Sequence, residues 1–565
     1  MDTRNKVNRA ADRTIHQRTQ QRLATYCSPW MVRKRWKKAL KLLPSFYHYL
    51  MDNLKSESLD WALTHIRRYG DTDLFPVPFE YEAITHSWAS LRSEIEKIDI
   101  ATYEGRPLRR FLIPKQYIGY RIAIQLDPID TIIYTALAYE AAEQVEKYRV
   151  PIERKIACSY RVELGAKGEL FRKNNGWDEF HSKSLELASS GHFSFVLTAD
   201  IAEFYNQIGH HRIRNALELA GIDKDRSKNI ENFLMNLTRG QSRGIPIGPA
   251  GSIIFSEACL GDVDNFLLRK GYVHTRYVDD FRIFCTDVHV ALKALHDLTE
   301  YLYTSHRLTL QTHKCNIFGV DDFVKQEMID PSEIEEYSKE EKLKAISDFF
   351  ADYSNFDEDD LPDLDQVIRD NLVDLFLASL ANEPTHLGMI KYLLRRATSL
   401  RTGVLREAVL ENIGKLSPVI REVSQYIVAT TKEEYSKSIG ERFKRGCEAA
   451  EYSFLPYIHY WLVEVFLKKM STSMESELAD ICNLHKPSLG VRPFALLAKK
   501  NRYTDWVREQ KETWQNNNPW DKRAIIWAGQ ALSVDEMNYW LKRVQNAGDI
   551  LDRSIAEAAL HLGNK

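Results

Sequence analysis

The period of the apolar positions changes several times along the chain, and each change marks an element. Leu40, Leu43, Tyr47 and Leu50 recur at helical spacing, and Pro44 interrupts them, which predicts a helix that kinks or restarts at the proline. Residues 106–128 read as a hairpin, with Arg109-Arg110-Phe-Leu-Ile-Pro-Lys115 on one arm and Tyr120-Arg121-Ile-Ala-Ile-Gln-Leu on the other. A helix then runs through Ile132–Ala142. Phe195–Leu197 is a short apolar run that predicts a core strand ending at Asp200, with a helix through Phe204, Tyr205 and Ile208. Tyr277-Val278 and Phe281-Arg-Ile-Phe284 are two β runs meeting at Asp279-Asp280, a pairing that predicts a hairpin. Leu308-Thr-Leu310 and Ile317-Phe318 predict a strand and a turn with Lys314 at the turn.

Punctuation residues refine this picture. Arg243-Gly-Ile-Pro-Ile-Gly-Pro-Ala-Gly251 carries three glycines and two prolines, which predicts a loop that lets backbone approach a ligand, followed by a long apolar helix. Beyond Asp321 the chain turns acidic, with Asp357-Glu-Asp-Asp360 and a break at Leu361-Pro362. From there the pattern is helix after helix, including Leu375–Leu380, Met389–Leu394 and Val404–Ile413. Asn518-Pro519 opens one helix, and Ser533 with Glu536 predicts a capping box at another. Paired helices without a strict period suggest an irregular α-solenoid, with Trp506, Trp514, Trp520, Trp527 and Trp540 between its helices. The expected fold class is α+β, divided into a basic helical extension at 1–100, a mixed domain at 101–325, an acidic linker at 326–364 and an all-α domain at 365–565.

Composition adds bounds. The 565 residues carry a net charge of −2, so no global basic field marks a polyanion partner. Charge is uneven, with Arg33-Lys-Arg35 and Lys37-Lys38 near the start, which permits a local nucleic-acid surface. Basic residues interleaved with aromatics suit a phosphate backbone. Seven scattered cysteines without a CxxC pair predict a reducing, cytoplasmic setting and argue against structural zinc. The polar N-terminal stretch and the lack of a long apolar run predict neither a secretory leader nor a membrane span.

The chemistry gathers around carboxylates. Asp200 ends one strand, and Asp279 and Asp280 sit together on a hairpin. Adjacent carboxylates repel unless a cation lies between them, and hard divalent ions prefer oxygen ligands. Two such ions serve in-line displacement at a phosphoryl group. Lys115 and Arg121 flank a predicted turn and are suited to a triphosphate, and Lys314 is suited to protonating a leaving pyrophosphate.

These stretches resemble the motifs of a reverse transcriptase. Phe-Val-Leu-Thr-Ala-Asp200-Ile201-Ala-Glu-Phe204-Tyr205 resembles the first palm motif, and Gly244-Ile-Pro-Ile-Gly248-Pro-Ala-Gly-Ser252 the second. Tyr277-Val-Asp279-Asp280 resembles the third, Leu310-Gln-Thr-His-Lys314 the fourth, and Ile113-Pro-Lys115 with Arg121 a fingers segment. The resemblance covers residues 105–325 and implies a fingers and palm with an antiparallel palm sheet. It implies Asp200, Asp279 and Asp280, with the Ile201 carbonyl, as ligands of two Mg²⁺ or Mn²⁺ ions. Lys314 is implied in catalysis, and Lys115, Arg121, Tyr205 and Gly248 in dNTP binding, with Tyr205 as the gate against a 2′-hydroxyl. The sequence departs from many family members at Ile247, where they carry glutamine, which removes a polar contact to nucleotide or template.

A finer match is to the bacterial abortive-infection and defence-associated reverse transcriptases of the unknown-group class. It rests on Gly-Ile-Pro-Ile-Gly-Pro with Glu257 downstream, Ala157-Cys-Ser159-Tyr160-Arg161-Val162 and Phe204-Tyr205, and on a HEAT-like helical half in place of a thumb. This resemblance implies action against phage and assembly as homo-oligomers. In some relatives it implies untemplated DNA primed from a tyrosine, for which Tyr26, Tyr47 and Tyr49 are candidates; others use a noncoding RNA template or a second reverse transcriptase. Two other readings are a non-catalytic nucleic-acid scaffold, which needs no intact carboxylates, and a retroelement polymerase.

Overall fold

The computed structural model describes residues 53–72, 74–115, 119–173, 176–328, 366–382 and 385–563. The predicted helix at Leu40–Leu50, nearly all of the acidic linker, and Tyr26, Tyr47 and Tyr49 lie outside them. Two antiparallel sheets hold the fold together. Strands β1 (Arg109–Pro114) and β2 (Tyr120–Gln125) form the predicted hairpin, with Ile113 opposite Arg121. The second sheet contains β3 (Phe195–Asp200), β4 (Val273–Tyr277), β5 (Asp280–Cys285) and β6 (Asn316–Gly319), in the order β4-β5-β3-β6. The strand expected before Lys314 falls after it instead. Leu310 makes only an isolated bridge to Ile201, and Thr312–Lys314 is a 3₁₀ turn.

Helix Pro128–Tyr148 is the hub. Its first half, Pro128–Ala138, is buried on every face. Asp127 caps it by accepting from the Ile129 amide, and Pro128 takes the first position, where a missing N–H costs nothing. It packs on helix Ala250–Arg269 and on helix Ser56–Tyr69. A Cβ on Gly251 would come within 3.1 Å of the Ala138 methyl, so the glycine lets the two helices cross closely.

The helical half meets this domain in two ways. Helices between 366 and 489 gather round a second core that includes Phe111, Ile113 and Ala123 of the hairpin. The helices Arg492–Asn501, Pro519–Ala528, Val534–Ala547 and Ile550–Gly563 share the main core with the palm. That junction also carries buried charge. Arg492 makes a bidentate pair with Glu80 at 2.7 and 2.7 Å, Arg523 pairs with Asp127 and reaches Glu80 at 3.5 Å, and Ser87 meets Ser554 at 2.5 Å. Trp514, Trp520, Trp527 and Trp540 are buried as expected, and Trp506 is half-buried against Phe494.

Local expectations divide. Asn518 caps its helix through the Trp520 and Asp521 amides. Ser533 does not form the capping box; its hydroxyl bonds the Glu536 carboxylate at 3.1 Å instead of a backbone amide. The helix expected at Val404–Ile413 shortens to Arg406–Glu411, and a 3₁₀ segment containing Pro418 follows. Among the described residues no helix is long and apolar enough to cross a membrane.

Candidate active site

Register brings the carboxylates together. In the β3–β5 pairing Asp200 lies opposite Asp280, and Tyr277 opposite Asp280 closes the β4–β5 hairpin, leaving Val278 and Asp279 as its two-residue turn. The Ile201 amide donates to the Asp279 carbonyl at 3.3 Å, which ties the turn to the end of β3. Asp200 is 7% exposed. Burial first, then the Asp200 charge, pushes the Asp279 carboxyl up to about 6. Asp280 keeps one side in water, but the protein packed around its carboxyl, together with Asp279 and Asp200, pushes it up to about 7.

Lys314 answers part of this negative charge. The segment before it is laced to β3, with the Gln311 amide donating to the Asp200 carbonyl at 2.8 Å and the Lys314 amide donating to Gln311 at 2.8 Å. This carries Lys314 Nζ to 2.8 Å from Asp200 Oδ2. Partial burial works against the ammonium, but the hydrogen bond and charge of Asp200 outweigh it and raise the lysine above its ordinary range.

A cleft of about 800 Å³ opens on the turn and is lined by Arg121, Tyr205, Gly248, Asp279 and Asp280 among others. Five of the predicted residues therefore share one wall system. Asp200 and Lys314 line a smaller recess of about 280 Å³ that also contains Asp280, so the two spaces meet at that residue. Lys115 is not part of either lining; it faces Glu203 at 3.7 Å with both side chains exposed. The glycine-proline loop reaches the cleft because the Ile245 amide donates to the Tyr205 carbonyl at 2.8 Å and the Gly244 amide to Ile208 at 2.8 Å. Gly248 has φ +116°, a conformation open to glycine and strained for other residues. Ile247 lines the cleft with an apolar side chain.

The structure also shows residues to which the sequence reading assigned no task. Val278 has φ +52°, a strained value for a β-branched side chain, and it is held from below. Its amide donates to Ser159 Oγ at 3.0 Å, and its carbonyl accepts from Arg276 Nη1 at 2.9 Å. The Ser159 hydroxyl donates to Glu257 at 2.6 Å. Arg276, 0% exposed, forks between Glu257 at 3.0 Å and Asp264 at 2.6 Å, and Arg149 adds a second guanidinium to Glu257 at 2.8 Å. Burial opposes ionisation of Asp264, but the Arg276 charge wins and holds that carboxyl far below the usual range. The Val278-Asp279 turn thus stands on a buried ionic strut. The signal in the sequence was a cation, Arg276, inside the strand that leads to the paired aspartates. Asp71, also buried, lines the same cleft, and burial pushes its carboxyl up to about 7.

The donor set fits a hard divalent cation. It offers oxygen ligands only, and two of its carboxyls are raised by confinement and mutual repulsion that a cation would relieve. The group of three ligand-type side chains among the described residues with donor atoms all within 4.8 Å is His296, Asp297 and Glu300, on a surface helix away from this cleft; the palm carboxylates are more widely set.

Residues 119–341 match the family model described as Reverse transcriptase (RNA-dependent DNA polymerase). The match marks a reverse transcriptase domain over this stretch, which is less than half of the chain. Among solved structures, the chain is similar to telomerase from Candida albicans in complex with a TWJ fragment of telomeric RNA. The two are 12% identical, the match covers 63% of this chain and 64% of that one, and the TM-score is 0.30. It is also similar to telomerase from Candida tropicalis in complex with the same kind of fragment (12% identity, 66% and 63% covered, TM-score 0.30) and to the apo form of that telomerase (10% identity, 67% and 72% covered, TM-score 0.28). The chain thus spans just under two thirds of the first of these telomerases. No curated protein sequence matches it.

Proposed function

We propose that this protein is a DNA polymerase of bacterial antiviral defence that extends a hydroxyl primer with deoxynucleotides and relies little on a template. One observation carries the reading. The Asp200–Asp280 register pair and the Asp279 turn open on the same space as Tyr205, Arg121 and Gly248. Asp200, Asp279 and Asp280, with the Ile201 carbonyl, would hold two Mg²⁺ or Mn²⁺ ions. When bound, these ions lower the pKa of the primer hydroxyl and carry the triphosphate. Arg121 binds phosphate oxygens as a fork, with Lys115 added if the hairpin folds inward. Tyr205 sets the floor under the sugar and leaves no room for a 2′-hydroxyl. Lys314, already cationic beside Asp200, donates its proton to the departing pyrophosphate.

Ile247 supports weak template dependence, because an apolar side chain offers a template base no hydrogen bond. The defence role, assembly into homo-oligomers, use of a noncoding RNA or a second reverse transcriptase, and priming from Tyr26, Tyr47 or Tyr49 rest on the motif resemblance. The free cysteines among the described residues support a reducing cytoplasm. A HEAT-like role for the helical half is supported by helices that pack on their neighbours between 366 and 489.

Removing metal gives the test. Purified protein with its bound nucleic acid is expected to incorporate labelled dNTPs with Mg²⁺ or Mn²⁺ and to fall to background when a chelator is added. Incorporation is expected to survive ribonuclease, and the product to stay with the protein until protease frees it. Equal counts with and without chelator would end the polymerase reading. Loss of incorporation after ribonuclease would end its template-free part.

A further inference from the structure

A second cleft, of about 380 Å³, lies where the strand β1, the segment before Glu80 and the helices Pro456–Val465 and Arg492–Asn501 meet. It is separate from the palm, and its volume is in the range of small-molecule sites. Its walls are apolar and partly aromatic, with Val77, Phe79, Tyr460, Val463 and Leu496.

Its charges do not balance. Arg492 is matched by Glu80, and Lys468 by Glu464 at 2.7 Å. That leaves Arg109, Lys499 and Lys500 against one exposed acid, Glu82. The Arg109 guanidinium lies 4.6 Å above the Tyr460 ring, and its Nη1 is buried without a hydrogen-bond partner. Lys499 Nζ sits 4.3 Å over the Trp527 ring with no carboxylate in salt-bridge range among the described residues. Lys500 donates to the Leu467 carbonyl at 2.7 Å. Burial lowers both lysines, so their charge is costly there without an anion.

We propose that this cleft is a binding site for a nucleoside phosphate. A guanidinium fork and two ammonium groups suit several phosphate oxygens better than a single carboxylate. The aromatic and aliphatic walls suit a flat base. The site also touches the hairpin that reaches the palm cleft. Arg109 lies on β1, which is in register with β2, and β2 brings Arg121 to the palm cleft. A ligand spanning β1 and the helical half would therefore fix the hairpin in this position. The assignment does not depend on whether the palm polymerises.

The test uses the full chain carrying Asp279→Asn and Asp280→Asn, with a chelator present, so that the palm cannot take up a metal-bound nucleotide. ATP, GTP, CTP and UTP are each titrated calorimetrically. At least one is expected to bind at one site per chain, and the matching nucleoside without phosphate to bind at least tenfold more weakly. Lys499→Glu is expected to weaken binding at least tenfold while the melting temperature of the unliganded protein is unchanged. Arg109→Gln gives a second variant with the charge removed from the opposite wall. Absence of binding by all four, or binding indifferent to both substitutions, would overturn the assignment. A 5′-phosphorylated oligonucleotide that outcompetes every free nucleotide would overturn it in favour of a strand end.

Discussion

Arg276→Met is expected to destabilise the protein by about 3–5 kcal/mol, the scale of removing one partner from a buried ion pair. Methionine fills similar space but leaves Glu257 with Arg149 alone and Asp264 with only His274, at 3.4 Å, to share its charge. A loss of that size is a large part of the net stability of a folded domain. The Val278 carbonyl also loses its donor, so the strained turn is released where Asp279 must be held. Urea unfolding followed by circular dichroism measures the first effect, and dNTP incorporation the second. Ser159→Ala separates the two. It removes one hydroxyl that accepts from Val278 and donates to Glu257, a loss of about 1–2 kcal/mol, and leaves the arginine lattice intact. It is expected to cost activity well beyond its cost in stability. An Arg276→Met protein with wild-type midpoint and activity would remove the strut from the account.

Asp279→Asn is expected to abolish incorporation and yet stabilise the metal-free protein. The two effects share a cause. In the folded chain Asp279 and Asp280 hold protons up to about 6 and about 7, whereas unfolded aspartates release them near 3.8. Between those values the folded state binds more protons, so stability from this pair falls as pH rises from about 4 to 7. An amide at Asp279 removes the repulsion and is expected to add about 1–3 kcal/mol at pH 8 without metal, with the gain shrinking at pH 5. Adding Mg²⁺ reverses the order, because the wild type gains a ligand that the variant has lost. Thermal melts at pH 5 and pH 8, with and without Mg²⁺, read all four states. A variant less stable than wild type at pH 8 in chelator would mean that the carboxylates are not strained against one another.

Much of this site could be read from the chain because its parts are short and local. Asp200 at a strand end, the carboxylates at a hairpin and the glycine-proline loop each announce themselves within about ten residues. The register that sets Asp200 opposite Asp280 lays the apolar runs of β3 and β5 side by side, and it was seen only in the structure. The strut was less legible, because Ser159, Glu257 and Arg276 are far apart in sequence and nothing local pairs them. They meet where β4, helix Ala250–Arg269 and the loop bridged to β4 at Ala157 pack together. Lys115 shows the converse. It was placed by its neighbours in sequence, but the hairpin leans toward the helical half and the side chain settles on Glu203. The capping box at Ser533 failed for a local reason, since the Glu536 carboxylate is drawn to Arg508 at 2.8 Å and takes the serine hydroxyl with it.

The main core joins residues near the start of the described chain to helices near its end, and this has a consequence for synthesis of the protein. Fingers and palm leave the ribosome well before Arg492 and Arg523. Without those arginines Glu80 lacks both cations that offset its charge in the folded chain, and Asp127 keeps only Arg106, at 2.9 Å. A nascent or truncated chain ending before Arg492 therefore carries all three palm aspartates but lacks the charges and apolar surface that close the lobe around them. The lobe around the carboxylates is therefore completed only when the helices between Arg492 and Gly563 pack onto it.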